Sequence, residues 1–125
     1  MPSSNILKQY FIILFFFLGK RWVECRNQEQ ISIPDQIDVE TQVLDLSGNN
    51  LQILPREVFA RHGLLNLQKL HLANCKIGQI DPTAFRGLSN LVELNLAGNL
   101  LTTVPTATFS GKILGIFYSR HSIGT

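Results

Sequence analysis

The chain has 125 residues, 45% of them hydrophobic and 16% charged, with a formal net charge of +2. That balance is too apolar for a disordered chain and too weakly basic for a nucleic-acid binder. Two cysteines, Cys25 and Cys75, are too few for a disulfide scaffold or a cysteine zinc site.

Charge is segregated along the sequence. Residues 1–21 carry Lys8, Lys20 and Arg21 and no acid, residues 22–111 carry nine acids against six bases, and residues 112–125 add Lys112 and Arg120. The three stretches hold +3, −3 and +2, which sum to the net +2.

Tyr10–Leu18 (YFIILFFFL) is an unbroken apolar run between Lys8 and Gly19-Lys20-Arg21. It is too short to cross a bilayer, which takes about 20 residues. Its length fits the core of a signal peptide behind a positively charged start, with Val23 and Cys25 as the nearest small-residue pair for cleavage. An uncleaved membrane anchor formed by residues 10–18 and a short buried strand are the alternatives. No N-x-S/T sequon is present.

From Leu44 onward one frame occurs three times. The first copy is Leu44, Leu46, Asn49, Leu51, Leu54 and Phe59. The second is Leu70, Leu72, Cys75, Ile77, Ile80 and Phe85, and the third is Leu94, Leu96, Asn99, Leu101, Val104 and Phe109. All six positions shift by one constant step from the first copy to the second, and by one slightly shorter step from the second to the third. Such a period marks a solenoid, in which each repeat buries its apolar side only against its neighbours. The frame L-x-L-x-x-N-x-L-x-x-L-P-x-x-x-F is that of leucine-rich repeats. It predicts an α/β solenoid: a short stack with a parallel sheet of three to five strands and an irregular or 3₁₀ convex side. Strands are expected at Val43–Leu46, Lys69–Leu72 and Val92–Leu96. Asn49, Cys75 and Asn99 form the expected structural ladder at the turn, where a side chain bonds to buried backbone groups. Phe59, Phe85 and Phe109 form the expected convex spine, and Gly48, Gly78, Gly87 and Gly98 suit the tight turns. Carried past Gly111 by the step that links the second and third copies, the frame is lost, though Ile113–Tyr118 can supply an irregular strand.

Strand side chains alternate in direction, so the concave face can be read as columns. One column is Asp45, His71, Asn95. Another is Val43, Lys69, Glu93, and a third is Ser47, Ala73, Ala97. The strand spacing of about 4.8 Å brings Asp45 within reach of His71, and Lys69 within reach of Glu93. Asp45–His71 has the form of a base and its orienter, but the column holds no nucleophile and the chain no Gly-rich phosphate loop. The expected role is therefore non-enzymatic: partner binding through Asp45, Lys69, His71, Glu93 and Asn95. No cofactor, metal or nucleic acid is expected. Cys75 is expected as a buried thiol, Cys25 as an unpaired cysteine on a flanking strand, and Trp22 as a packing residue of a flanking hairpin.

The runs Gly19–Asn27, Ile31–Pro34, Thr41–Gln52, Leu67–Lys69 and Phe85–Leu94 resemble the insect Kekkon family. These are cell-surface proteins with leucine-rich repeats, an immunoglobulin domain and one membrane span. The resemblance spans about residues 19–110 and implies an extracellular or cell-surface setting, a protein partner, and modulation of a growth-factor receptor. In that family the stretch matching Gly19–Cys25 lies inside a disulfide-bonded amino-terminal cap, whereas here a hydrophobic run stands where the earlier cap cysteines would be.

The expected organisation is a hydrophobic segment running into a cap remnant over 1–25, an N-flanking strand region over 26–40, three repeats over 41–111 and a divergent tail over 112–125. The chain is expected to be part or a short form of a cell-surface receptor. A secreted decoy and a truncated product without activity of its own are the alternatives.

Overall fold

A computed structural model describes residues 21–103 and the backbone of one further strand at 115–117. In chain order the elements are β1 (Trp22–Glu24), β2 (Val43–Asp45), β3 (Ile53–Leu54), helix α1 (Val58–Arg61), β4 (Lys69–His71), β5 (Gln79–Ile80), β6 (Glu93–Asn95) and β7 (Gly115–Phe117). β1, β2, β4, β6 and β7 form one sheet in that order, and every neighbouring pair is parallel. β3 and β5 form a second, two-stranded parallel sheet.

The solenoid follows from register. Val23, Leu44, Leu70 and Leu94 are paired strand to strand and each is fully buried. Two residues on, Cys25, Leu46, Leu72 and Leu96 fill a second buried column. Each fully buried leucine contributes on the order of 1.5–3 kcal/mol, and none could be buried by its own repeat alone. The strands are one or two residues shorter than expected, ending at Asp45, His71 and Asn95, and Val92 lies outside β6, exposed.

The two ends of the sheet depart from the sequence reading. The flanking strand falls at Trp22–Glu24, ahead of the 26–40 region, which is built of turns and bends. It runs parallel to β2, so Trp22 sits on a solenoid strand rather than in a hairpin, and its side chain is 41% exposed. Cys25 takes the place of Leu46 one rung earlier and is buried. At the other end, Leu94 pairs with Ile116. The step from Leu94 to Ile116 is shorter than the step from Leu70 to Leu94, so a shorter repeat recovers the strand that the fixed step had lost.

On the convex side of the described residues stand the single-turn α1 and the β3–β5 pair. Phe59 and Phe85 are buried there with ring centroids 5.8 Å apart and planes within 9°. Phe109, the third expected spine residue, lies outside the described residues, as do Tyr10–Leu18. Among the described residues no helix is long and apolar enough to cross a membrane.

Candidate functional site

The turn that follows each strand is held by buried amides. Asn49 Oδ1 accepts the N–H groups of Gln28 (2.9 Å) and Gln30 (3.0 Å), while its Nδ2 donates to the carbonyls of Cys25 (2.8 Å) and Leu46 (2.7 Å). Asn99 repeats the pattern two rungs on: Oδ1 accepts from Cys75 (2.8 Å) and Ile77 (3.0 Å), and Nδ2 donates to Leu72 (2.8 Å) and Leu96 (3.0 Å). Cys75, on the rung between, donates its thiol to the Leu46 carbonyl at 3.1 Å. Burial raises the Cys75 pKa, with the backbone N–H groups of Asn49 and Gly48 pulling the other way. Cys25 is pushed up to about 12, by burial first and then by the nearby carboxylates of Asp45 and Glu24. Both cysteines are free thiols.

One residue before each rung, the column reads Asn27, Gly48, Asn74, Gly98, all with left-handed φ (53°, 77°, 55° and 71°). Asparagine and glycine are the residues that tolerate this region best. A β-carbon on Gly48 would meet Asn27 Oδ1 at 1.8 Å, and one on Gly98 would meet Asn74 Oδ1 at 2.0 Å. Each asparagine thus occupies the space that the next glycine leaves. Gly78, by contrast, has open space around it and no left-handed φ, so the expected turn requirement does not hold there.

These turns fix the strands whose outward side chains make the concave face. The structure brings Asp45, Lys69, His71, Glu93 and Asn95 onto that one face, with Asp45, His71 and Asn95 in one register column and Lys69 beside Glu93 in the next. The pairing differs from expectation. Among the described residues His71 pairs with Glu93, Nε2 to Oε2 at 3.5 Å, rather than with Asp45. Lys69 makes no ion pair with Glu93 and is exposed.

Asp45 bonds to its own turn and to Arg26 instead. Its Oδ1 accepts the Ser47 N–H at 3.0 Å and its Oδ2 lies 3.7 Å from Arg26 Nε. Asn95 accepts the Ala97 N–H in the same way at 3.0 Å. In the middle of this column His71 is not the acceptor. There the neighbouring Ser47 hydroxyl accepts the Ala73 N–H at 3.1 Å. Asp45 and Asn95 therefore brace their own strands as well as lining the face. The face is open and polar, with one Nε2–Oε2 pair at its centre.

Sequence reasoning missed the β1 contribution. Trp22 and Glu24 extend the Val43 and Asp45 columns by one strand. The signal was Val23-x-Cys25, which has the spacing of Leu44-x-Leu46. It is disguised by a step from Val23 to Leu44 that is shorter than the one from Leu44 to Leu70, and by a cysteine in place of the second leucine.

A second concavity lies off the sheet. Ile31, Ile33, Leu51, Ile53, Pro55 and Val58 line an open groove of about 770 Å³, with Asp35, Arg61 and His62 at its border. His62 Nε2 faces Asp35 Oδ1 at 3.2 Å. Among the described residues no cluster of His, Cys, Asp or Glu is arranged to hold a metal.

Comparison with known proteins adds the following. Two family models, "Leucine rich repeat" and "Leucine Rich Repeat", match residues 65–112 and 40–61. The mouse (Mus musculus) chondroadherin-like protein is 43% identical over 79 residues, which is 63% of this chain and 10% of that protein. Trophoblast glycoprotein of Macaca fascicularis is 33% identical over 93 residues, 74% of this chain and 22% of its own length. Tsukushi-A of Xenopus laevis is 32% identical over 96 residues, 77% and 27% respectively. The chain thus spans only 10% to 27% of these curated relatives. Among solved structures, human trophoblast glycoprotein superposes with a TM-score of 0.68 at 28% identity, covering 78% of this chain and 39% of that one.

Proposed function

We propose that this leucine-rich repeat protein, which resembles extracellular proteins of the same kind, is a non-enzymatic interaction module that binds another protein through its concave sheet face. The observation that carries the reading is the register of β2, β4 and β6. It gathers Asp45, Lys69, His71, Glu93 and Asn95 on one solvent-facing surface while the leucines between them are buried. An open polar face set on a rigid sheet loses little freedom when a partner docks, which favours affinity. Nothing in the arrangement favours catalysis.

The setting we propose is extracellular or at the cell surface, by analogy with the relatives named above. Within that setting, the resemblance of residues 19–110 to Kekkon proteins supports a finer reading, modulation of a growth-factor receptor. The proposed organisation remains a hydrophobic segment and cap remnant (1–25), a flanking region (26–40), three repeats (41–111) and a divergent tail (112–125).

The test is expression in secretory cells with a carboxy-terminal tag. Intact mass is read from medium and cells, and the secreted product is then screened against an array of receptor and ligand ectodomains. A soluble product that binds an ectodomain, and loses it when Lys69 and Glu93 are charge-reversed, is the expected result. Binding that survives both reversals in a folded chain would remove the concave face from the account.

A further inference from the structure

The concave face has a β1 end with a chemistry of its own. Register sets Trp22 beside Val43 and Glu24 beside Asp45. Val23, between Trp22 and Glu24, is fully buried, so its two neighbours point to the concave side. Trp22 is left 41% exposed. Among the described residues Glu24 makes no ion pair, while the Asp45 carboxylate is already engaged by Ser47 and Arg26.

Trp22 and Glu24 are two residues apart on one strand, a backbone rise of about 6.6–6.8 Å, and present a tryptophan face and a carboxylate to the same side. A lysine or arginine stem can lie along the ring over that span and bring its charge to the carboxylate. The ring quadrupole attracts the cation, and the carboxylate accepts charge-assisted N–H bonds from it. Among the described residues Arg26 faces Asp45 at 3.7 Å, and the neighbouring column does not fill the place. Apolar Val43 separates Trp22 from Lys69, two strands and about 9–10 Å away. An acidic partner would meet Glu24 with like charge. A purely apolar one would bury Glu24 without a counter-charge, which is costly.

We infer that the β1 end of the concave face is a receiving site for a lysine or arginine side chain on the protein partner, with Trp22 as the aromatic wall, Glu24 as the counter-charge and Val43 as the apolar floor. The inference rests on the concave-face reading and specifies the kind of partner residue it takes.

Trp22 is the only tryptophan of the chain, so its fluorescence reports this place alone. The whole chain is titrated at low ionic strength with a short oligo-arginine peptide, and in parallel with oligo-glutamate and oligo-serine. The expected result is a saturable change with oligo-arginine only, weakened about tenfold, the equivalent of about 1.4 kcal/mol, by Glu24→Gln. Glu57→Gln on the convex side leaves it in place. Trp22→Leu, followed by calorimetry, gives the same loss as Glu24→Gln, with far-UV circular dichroism confirming the fold of each variant. No response to oligo-arginine, an equal response to oligo-glutamate, or equal losses in Glu24→Gln and Glu57→Gln would overturn the inference. Charge reversal at Lys69 and Glu93 tests the rest of the face separately. If those reversals leave partner binding intact while the Trp22 response persists, the middle of the face is excluded and binding at its β1 end stands.

Discussion

Asn99 carries the backbone of Cys75: its side-chain oxygen accepts the Cys75 N–H at 2.8 Å and the Ile77 N–H at 3.0 Å. Cys75, one rung earlier, has only a thiol there: it donates to the Leu46 carbonyl at 3.1 Å, with the Ala73 carbonyl at 3.5 Å, and its sulfur is a weak acceptor for the Asn49 and Gly48 N–H groups. The ladder therefore has two four-bond rungs and one weak rung between them. Asn99→Ala strips partners from two buried N–H groups and two carbonyls, and should cost about 3 kcal/mol or more. Cys75→Ala should cost about 1 kcal/mol. Cys75→Asn should gain about 1 kcal/mol, because a new amide oxygen there would meet the N–H groups of Asn49 and Leu51, equivalent to those that Asn99 meets one rung on. Urea denaturation of the three variants gives the order directly.

The Asn–Gly alternation makes a second prediction. Gly98→Ala forces a β-carbon to within 2.0 Å of Asn74 Oδ1 at a φ of +71°. The steric part can be relieved by removing the asparagine side chain, and the backbone part cannot. Gly98→Ala should lose about 1–2 kcal/mol, and Asn74→Ala in that background should recover part of it. Thermal unfolding of the double-mutant cycle should show a coupling of about 0.5 kcal/mol or more. Gly78→Ala, with open space around it, should be neutral or stabilising by up to about 1 kcal/mol.

Cys25 predicts a pH dependence. A cysteine thiol free in water ionises near 9.0, and in the fold this one is pushed up to about 12, chiefly because burial penalises the thiolate. Below 9.0 both folded and unfolded chains hold the proton and the contribution to stability is full. Above it the unfolded chain releases the proton first, so stability falls as pH rises towards 12. Urea unfolding between about pH 8 and about pH 11 should show a steeper decline in the native chain than in Cys25→Ala, by at most about 1.4 kcal/mol per pH unit. A thiol reagent should modify Cys25 only as the chain unfolds.

The middle of the fold was legible because its signal is repetition. Leu44, Leu70 and Leu94 share one spacing rule, and parallel register follows from it. The ends were not legible because the rule bends there. β1 precedes β2 by a shortened step and places a cysteine in a leucine slot, and β7 follows β6 by another shortened step, so a fixed period overlooks both. The concave columns could be read from alternation alone. Which side chains bond within them could not, because that depends on turn geometry. Asp45 accepts the Ser47 N–H two residues on, and His71 faces Glu93. The same blindness hid Trp22 and Glu24, whose place on the face exists only once β1 is paired to β2.

The measurement that tests the concave-face account most directly is the affinity of a bound ectodomain for three folded forms of this chain, side by side. They are the native sequence, the Lys69→Glu and Glu93→Lys double variant, and a convex-side control carrying Arg56→Glu and Arg86→Glu. The account predicts at least a tenfold loss, the equivalent of about 1.4 kcal/mol, for the concave pair and a change within about twofold for the convex pair. Affinity lost through the convex pair and kept through the concave pair would contradict it.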